Sequence, residues 1–176
     1  LEIGPVYSRS MARAADAAGP VSVLITPEPL SPADAIAFVT SAQCGGISVF
    51  IGTTRDSFEG KGVQRLEYEC YESMAAKHMR RLGADMRARF GVHRAALHHR
   101  TGVCPVAEAS VVIAAASEHR KEALDAVAWA IDALKATVPI WKREVYTDGA
   151  VWKQNAECAF SDKARGQRAE SDAAPG

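Results

Sequence analysis

No stretch of this 176-residue chain stays apolar for the roughly 20 residues that a helical membrane span needs. Neither sign of charge is in excess: Lys+Arg and Asp+Glu both total 21, for a formal net charge of zero. That balance argues against a general nucleic-acid coat and against a polybasic membrane binder, so any anion site must be a local concentration of charge. There is no CxxC. Cys44, Cys70, Cys104 and Cys158 are scattered, which fits neither a zinc knuckle nor a redox motif, and they read as free thiols of an ordinary core. There is no GxGxxG, and no Walker loop either: seven residues separate Gly52 from Gly60-Lys61, and Gly62 stands where Ser or Thr is required. His98-His99-Arg100 lacks a spaced carboxylate, and adjacent histidines on a strand face opposite ways, so no metal site is expected. Cys104-Pro105 has no recognisable base partner, which speaks against a cysteine nucleophile.

What is present is a foldable chain, 48% hydrophobic and 24% charged. The two ends are the exceptions. Residues 1–19, whose Arg9–Gly19 segment is rich in Ala and Arg, read as a flexible N-terminal tail, and residues 159–176 as a disordered C-terminal tail. Between them, 20–158 reads as one domain. VSVLIT at 21–26 predicts a strand. Ser31-Pro32 supplies an N-cap and a first-turn proline for a helix to about Ala42. GISVFIG at 46–52 predicts a buried strand, 53–62 an exposed loop, and 63–71 a half-exposed strand. Ser73 is expected to cap a helix with Met74, Met79, Leu82 and Met86 on its apolar side, ending before Gly91. Strands follow at about 93–101 and 110–116, then a helix at 118–135. A hairpin from 140–146 turns through Asp148-Gly149 into Val151-Trp152. Mixed strands and helices without strict βαβ alternation predict an α+β fold.

The 118–135 helix carries the chemical signal. Leu124, Val127, Ile131 and Leu134 follow helical spacing and are expected to form its buried stripe. At about 100° per residue, Lys135 falls some 20° from Leu124 and Arg120 about 40° to the other side. Snorkelling explains one cation on an apolar stripe. Two, with Lys142 and Arg143 close by in VPIWKRE, favour a buried anion site. On a strand Lys142 and Arg143 point to opposite faces, so one can serve a pocket while the other faces water or Glu144. A lysine crowded by cations has its pKa pushed down, which suits a proton donor or nucleophile. A solvated basic sheet edge explains the same residues. Arg55, directly after an apolar strand, sits where binding residues often do. His119, in the first helical turn beside Arg120, can bind phosphate or simply be solvated.

Taken in order, GGISVFIGTTRDSFEGKGV (45–63), LEYECYESMA (66–75), SEHRKEAL (117–124) and AIDALKATVPIWKREVY (130–146) resemble the catalytic (large) subunit family of molybdopterin synthase. The resemblance spans about residues 21–158. It implies a single-domain α/β hammerhead-type fold with mixed and antiparallel sheets. It also implies a homodimer at the core of a heterotetramer, each protomer binding a ubiquitin-like small subunit that ends in a Gly-Gly thiocarboxylate. The implied activity is a cytoplasmic sulfur transfer, without a cofactor, that places two sulfurs on cyclic pyranopterin monophosphate (precursor Z) and forms the molybdopterin dithiolene.

Carried over by position, Lys135 and Lys142 form the catalytic pair. Arg55, His119 and Arg120 bind the pterin phosphate, Arg143 and Glu144 line the pocket, and Thr53 and Thr54 contribute through their backbone. Arginine forks suit a phosphate, and a lysine can protonate a leaving oxygen. Because the sulfur arrives on the partner, no catalytic cysteine is needed. Arg120 and Lys135 lie 15 residues apart on one helix, roughly 22 Å. That is too far for one pterin, so the sequence predicts a site shared across a two-fold dimer. The competing reading is a non-catalytic module that holds the partner's tail. A nucleotide- or RNA-binding domain is disfavoured by zero net charge and the lack of an aromatic-basic surface.

Overall fold

The computed structural model describes residues 19–147 and 149–153, so both predicted tails lie outside the described residues apart from Gly19, as do Asp148 and Cys158. In chain order the elements are β1 (Val21–Thr26), α1 (Pro32–Val39), β2 (Gly46–Thr53), β3 (Ser57–Phe58), β4 (Lys61–Cys70) and α2 (Glu72–Phe90). There follow β5 (Arg94–Arg100), β6 (Gly102–Pro105), β7 (Ala109–Ser117), α3 (Arg120–Thr137), β8 (Ile140–Tyr146) and β9 (Gly149–Lys153). This is the mixed α+β architecture that the sequence predicts.

The strands form two sheets. One runs β1-β5-β7-β2, with β1 parallel to β5 and the other pairs antiparallel. The other runs β3-β4-β8-β9, and β6 also pairs with β4. The first sheet is covered on both faces. Met79, Leu82 and Met86 of α2 and Ala126, Val127, Ala130 and Leu134 of α3 pack with Ala95, Leu97, Val111, Ile113 and Ala115. Ala35 and Val39 of α1 pack with Ala96, Val112, Ala114 and Ala116 on the opposite face. A strand buried on both sides reads as a continuous apolar run, which is why SVVIAAA of β7 lacks polar alternation. GISVFIG, expected to be a buried strand, is instead an edge strand whose Ile47 and Ile51 are exposed.

Local signals set several boundaries. Ser31 caps α1, its Oγ accepting from Asp34 N at 3.2 Å, but the helix stops at Val39, three residues before the predicted end. Ser73 does not cap α2: Tyr71 occupies the N-cap, without a side-chain cap bond, and Ser73 lies within the first turn. The Lys61 side of the predicted loop is a hairpin. Phe58 pairs with Lys61 across Glu59 (φ 50°) and Gly60 (φ 77°), the left-handed pair that a two-residue turn requires. β8 and β9 pair as the predicted hairpin, Tyr146 opposite Gly149, so Gly149 opens β9 instead of forming the turn, and the Asp148 part of that expectation lies outside the described residues. The short strand β6 has no counterpart in the sequence prediction. Cys44, Cys70 and Cys104 are free, as expected. Among the described residues, no helix is long and apolar enough to cross a membrane.

The predicted stripe of α3 needs correction. Ala123, Ala126, Val127, Ala130 and Leu134 are buried, whereas Leu124 is 57% exposed. Small residues face the sheet and α2 because they permit close approach, which leaves the larger Leu124 on the flank. Arg120 and Lys135, also exposed, share that flank instead of the buried stripe. Met74 of α2, 47% exposed, departs from its predicted stripe in the same way.

Candidate active site

A cleft of about 260 Å³ opens where the two sheets and the end of α3 meet. Its lining includes Phe50, Thr53, Arg55, Phe58, Leu66, Tyr68, His99, Ser110, Lys135, Lys142 and Glu144. Five of the predicted site residues are therefore brought together: Thr53, Arg55, Lys135, Lys142 and Glu144. Thr54, His119, Arg120 and Arg143 are not among the lining residues.

Each cation reaches the cleft for a local reason. Pro139 disfavours helical backbone at the residue before it, and Val138 is extended (φ −88°, ψ 127°), so α3 ends there. Lys135 thus sits in the last turn, where the helix dipole favours a cation, and Ile131, one turn back, lines the same wall. On β8 the period of two sends Ile140, Lys142 and Glu144 into the cleft. Across the ladder Lys142 lies opposite Tyr68 and Glu144 opposite Leu66. Lys142 Nζ is 3.3 Å from Glu144 Oε1, and the Tyr146 hydroxyl donates to Glu144 Oε2. Glu144 is buried, and both contacts help to hold its carboxylate inside. Arg55 follows β2 with its guanidinium 5.2 Å from the centre of the Phe58 ring.

The residues left out are equally explicable. Arg143 occupies the other face of β8, with Nη2 2.7 Å from Glu67 Oε2, while Arg65 Nε donates to Glu67 Oε1 at 2.8 Å. The alternation of Lys142 and Arg143 is as predicted, but the expectation that Arg143 lines the pocket is not met. Thr54 is buried behind the cleft, and its Oγ1 donates to the Cys104 carbonyl at 3.3 Å. His119 is the N-cap residue of α3 rather than part of its first turn. It and Arg120 stand exposed at the opposite end of an unbroken 18-residue helix from Lys135.

Three neutral polar residues of the cleft have no role in the sequence reading. Tyr68 is hydrogen-bonded with Ser110, and burial pushes its hydroxyl up to about 12. Ser110 Oγ donates to the Gly52 carbonyl at 3.2 Å. His99 stands edge-on to Tyr68, ring centres 5.1 Å apart, and burial lowers its pKa to about 4. The signal for His99 was the rule that adjacent strand histidines diverge: His98 faces away and meets Ser22 Oγ at 3.1 Å. No group of three or more His, Cys, Asp and Glu residues among those described could hold a metal ion.

Three comparisons bear on this geometry. The chain is 50% identical over 136 residues to the molybdopterin synthase catalytic subunit of Taeniopygia guttata, covering 77% of this chain and 88% of that one. It is 48% identical over 136 residues to the Homo sapiens protein of the same name, covering 77% and 72% respectively. Among solved structures, molybdopterin synthase from Staphylococcus aureus superposes with a TM-score of 0.71 at 34% identity, covering 74% of this chain and 95% of that one. The family model described as MoaE protein matches residues 25–137, and the chain belongs to that family, whose curated relatives are molybdopterin synthase catalytic subunits.

Proposed function

We propose that this chain is the catalytic subunit of a molybdopterin synthase, transferring two sulfurs from a ubiquitin-like small subunit's thiocarboxylate to cyclic pyranopterin monophosphate. The observation that carries the reading is the convergence of Arg55, Lys135 and Lys142, from three separate elements, on one cleft. In this reading the cations draw in both anions, the substrate phosphate and the thiocarboxylate tail. The sulfur displaces an oxygen leaving group at the pterin carbon, and Lys135 or Lys142 protonates that oxygen. Water then releases the tail as a carboxylate and leaves the sulfur on the pterin. Glu144 orients Lys142. The reaction is assigned to the cytoplasm.

The reading extends to a homodimer. Lys135 and Arg120 are separated by nearly the whole of α3, roughly 22 Å along its axis. His119 and Arg120 therefore serve the partner protomer's cleft in this reading, with Thr53 and Thr54 supporting the turn that presents Arg55. Arg120 stands at the positive end of the helix dipole, where a bound anion is favoured. Arg143 is assigned to holding β8 against β4 through Glu67, rather than to the substrate.

The test is reconstitution with thiocarboxylated small subunit and precursor Z, with dithiolene as the readout. Lys135→Ala is expected to lose at least about 100-fold in turnover with an unchanged melting temperature. Near-wild-type activity of Lys135→Arg would overturn the catalytic role of Lys135 and leave it as a residue that holds the anionic tail. No dithiolene from wild-type protein that still binds the tail would support the non-catalytic module. Mixing Arg120→Ala with Lys135→Ala protein should restore about a quarter of wild-type activity, because half the dimers carry one intact site of two. No recovery despite demonstrated subunit exchange would show that each protomer works alone.

A further inference from the structure

Two chemical classes of polar side chain line the cleft. Arg55, Lys135, Lys142 and Glu144 are charged, whereas Tyr68, His99 and Ser110 are neutral. The charged groups suit a phosphate and a thiocarboxylate, but the neutral ones suit neither.

His99 is the member of that neutral set with capacity to spare. Its Nδ1 lies 2.7 Å from the Arg100 carbonyl oxygen, which can only accept. Nδ1 therefore carries the ring proton, and Nε2 presents a lone pair. Among the described residues Nε2 has no hydrogen-bond partner, and it is not one of the buried polar atoms sealed from solvent, so it meets the open volume of the cleft. The neighbouring hydroxyls do not compete for it. Tyr68 and Ser110 are hydrogen-bonded to each other, and Ser110 donates onward to Gly52. Burial keeps the imidazole neutral down to about pH 4, so the acceptor persists under working conditions.

We infer that His99 accepts a hydrogen bond at Nε2 from an N–H on the edge of the substrate's uncharged heterocycle, and so determines which ring systems the cleft admits. The inference rests on the proposed pterin chemistry and adds a specificity residue to it. A peptide tail also carries N–H groups, but an extended backbone offers donor and acceptor in alternation. A flat ring also has a face that covers the apolar surface of Phe50, Val111, Leu134 and Ile140 in the same cleft, which a Gly-Gly backbone cannot do. The Nε2 acceptor and that surface together match the edge and face of a flat ring. A site built around such a bond strongly rejects an analogue lacking the donor, because the buried acceptor is then left unpaired.

The experiment uses full-length protein labelled with 15N-histidine and titrated with precursor Z. The unprotonated Nε2 resonance of His99 is expected to move upfield at saturation and to stay in place when the small subunit's C-terminal peptide is added instead. No movement with precursor Z overturns the inference, and movement with the peptide alone assigns the bond to the tail. In steady-state assays, His99→Phe should raise the KM for precursor Z about tenfold, leave the KM for the small subunit unchanged, and be rescued by His99→Gln, which restores an acceptor. An unaltered KM in folded His99→Phe overturns the inference while the proposed function stands. If wild-type protein forms no dithiolene from precursor Z, the proposed function fails. The labelled wild-type titration decides the matter even if the Phe variant does not fold.

Discussion

The sheet built from β1, β5, β7 and β2 and the sheet built from β3, β4, β6, β8 and β9 are buried in opposite styles. In the first, Ala95, Ala96, Leu97 and Val112 to Ala116 are fully shielded, with helices on both faces. In the second, residues alternate. Arg65, Glu67 and Arg143 form an ionic cluster on one face, while Tyr68, Lys142 and Glu144 face the cleft. The central strands β5 and β7 of this sheet have no face left over for chemistry except where they reach the cleft, and the edge strand β2 exposes Ile47 and Ile51 elsewhere. The sheet acts as a rigid back wall, against which the half-covered sheet and the end of α3 hold the charged groups. Functional side chains gather where a scaffold leaves one face open.

Three measurements bear on that contrast, taken from the largest expected effect downward. Ile113→Ala, in the shielded sheet, should lower stability by about 2–5 kcal/mol in urea denaturation, because the site cannot fully collapse around the cavity. A loss near zero would mean that the alanine-rich wall is loosely packed.

The second measurement concerns the junction of the sheets. His99 has a folded pKa of about 4, below the ordinary value of 6.5, and burial lowers His98 in the same direction. The unfolded chain therefore binds more protons between those values. Stability is complete above about pH 6.5 and falls as pH drops towards 4, by about 3 kcal/mol from His99 at most. Urea midpoints at pH 7 and pH 4.5 should differ more for wild type than for His99→Gln. Equal differences would mean that carboxylates alone set the acid sensitivity.

The smallest effect belongs to the open face of the second sheet. Glu67→Ala removes the carboxylate shared by Arg65 and Arg143, yet both arginine side chains are more than a third exposed, so the cost should be no more than about 1 kcal/mol. A loss matching that of Ile113→Ala would erase the distinction between the sheets.

The sequence made periodic features legible and left relative depth hidden. The β8 alternation separated Lys142 from Arg143 correctly, and the Ser31-Pro32 start of α1 was readable from cap chemistry alone. Leu124 misled because helical spacing fixes which residues share a face, while the packing partner decides which face is buried. On α3 that partner selected alanines. Arg143 entered the site list by resemblance and left it on strand geometry. Tyr68, His99 and Ser110 lie on three strands far apart in the chain, so no local pattern could unite them. The 22 Å between Arg120 and Lys135, by contrast, needed only helix length and survives because α3 is unbroken.

The register of the first sheet has a consequence for how the chain acquires its shape. Val21 pairs with Ala95, and Gly46 with Ser117, so each apolar edge strand waits for a partner about seventy residues downstream. At synthesis rates of roughly 5–20 residues per second, β1 and β2 stand unpaired for about 4–14 s. β7 bonds both β2 and β5, and until it emerges the sheet cannot close. Folding is thus gated by a late central strand, and the vulnerable species during biosynthesis is a chain stopped just short of Ala109–Ser117, in which β5 is available to β1 but the apolar strand β2 still has no partner.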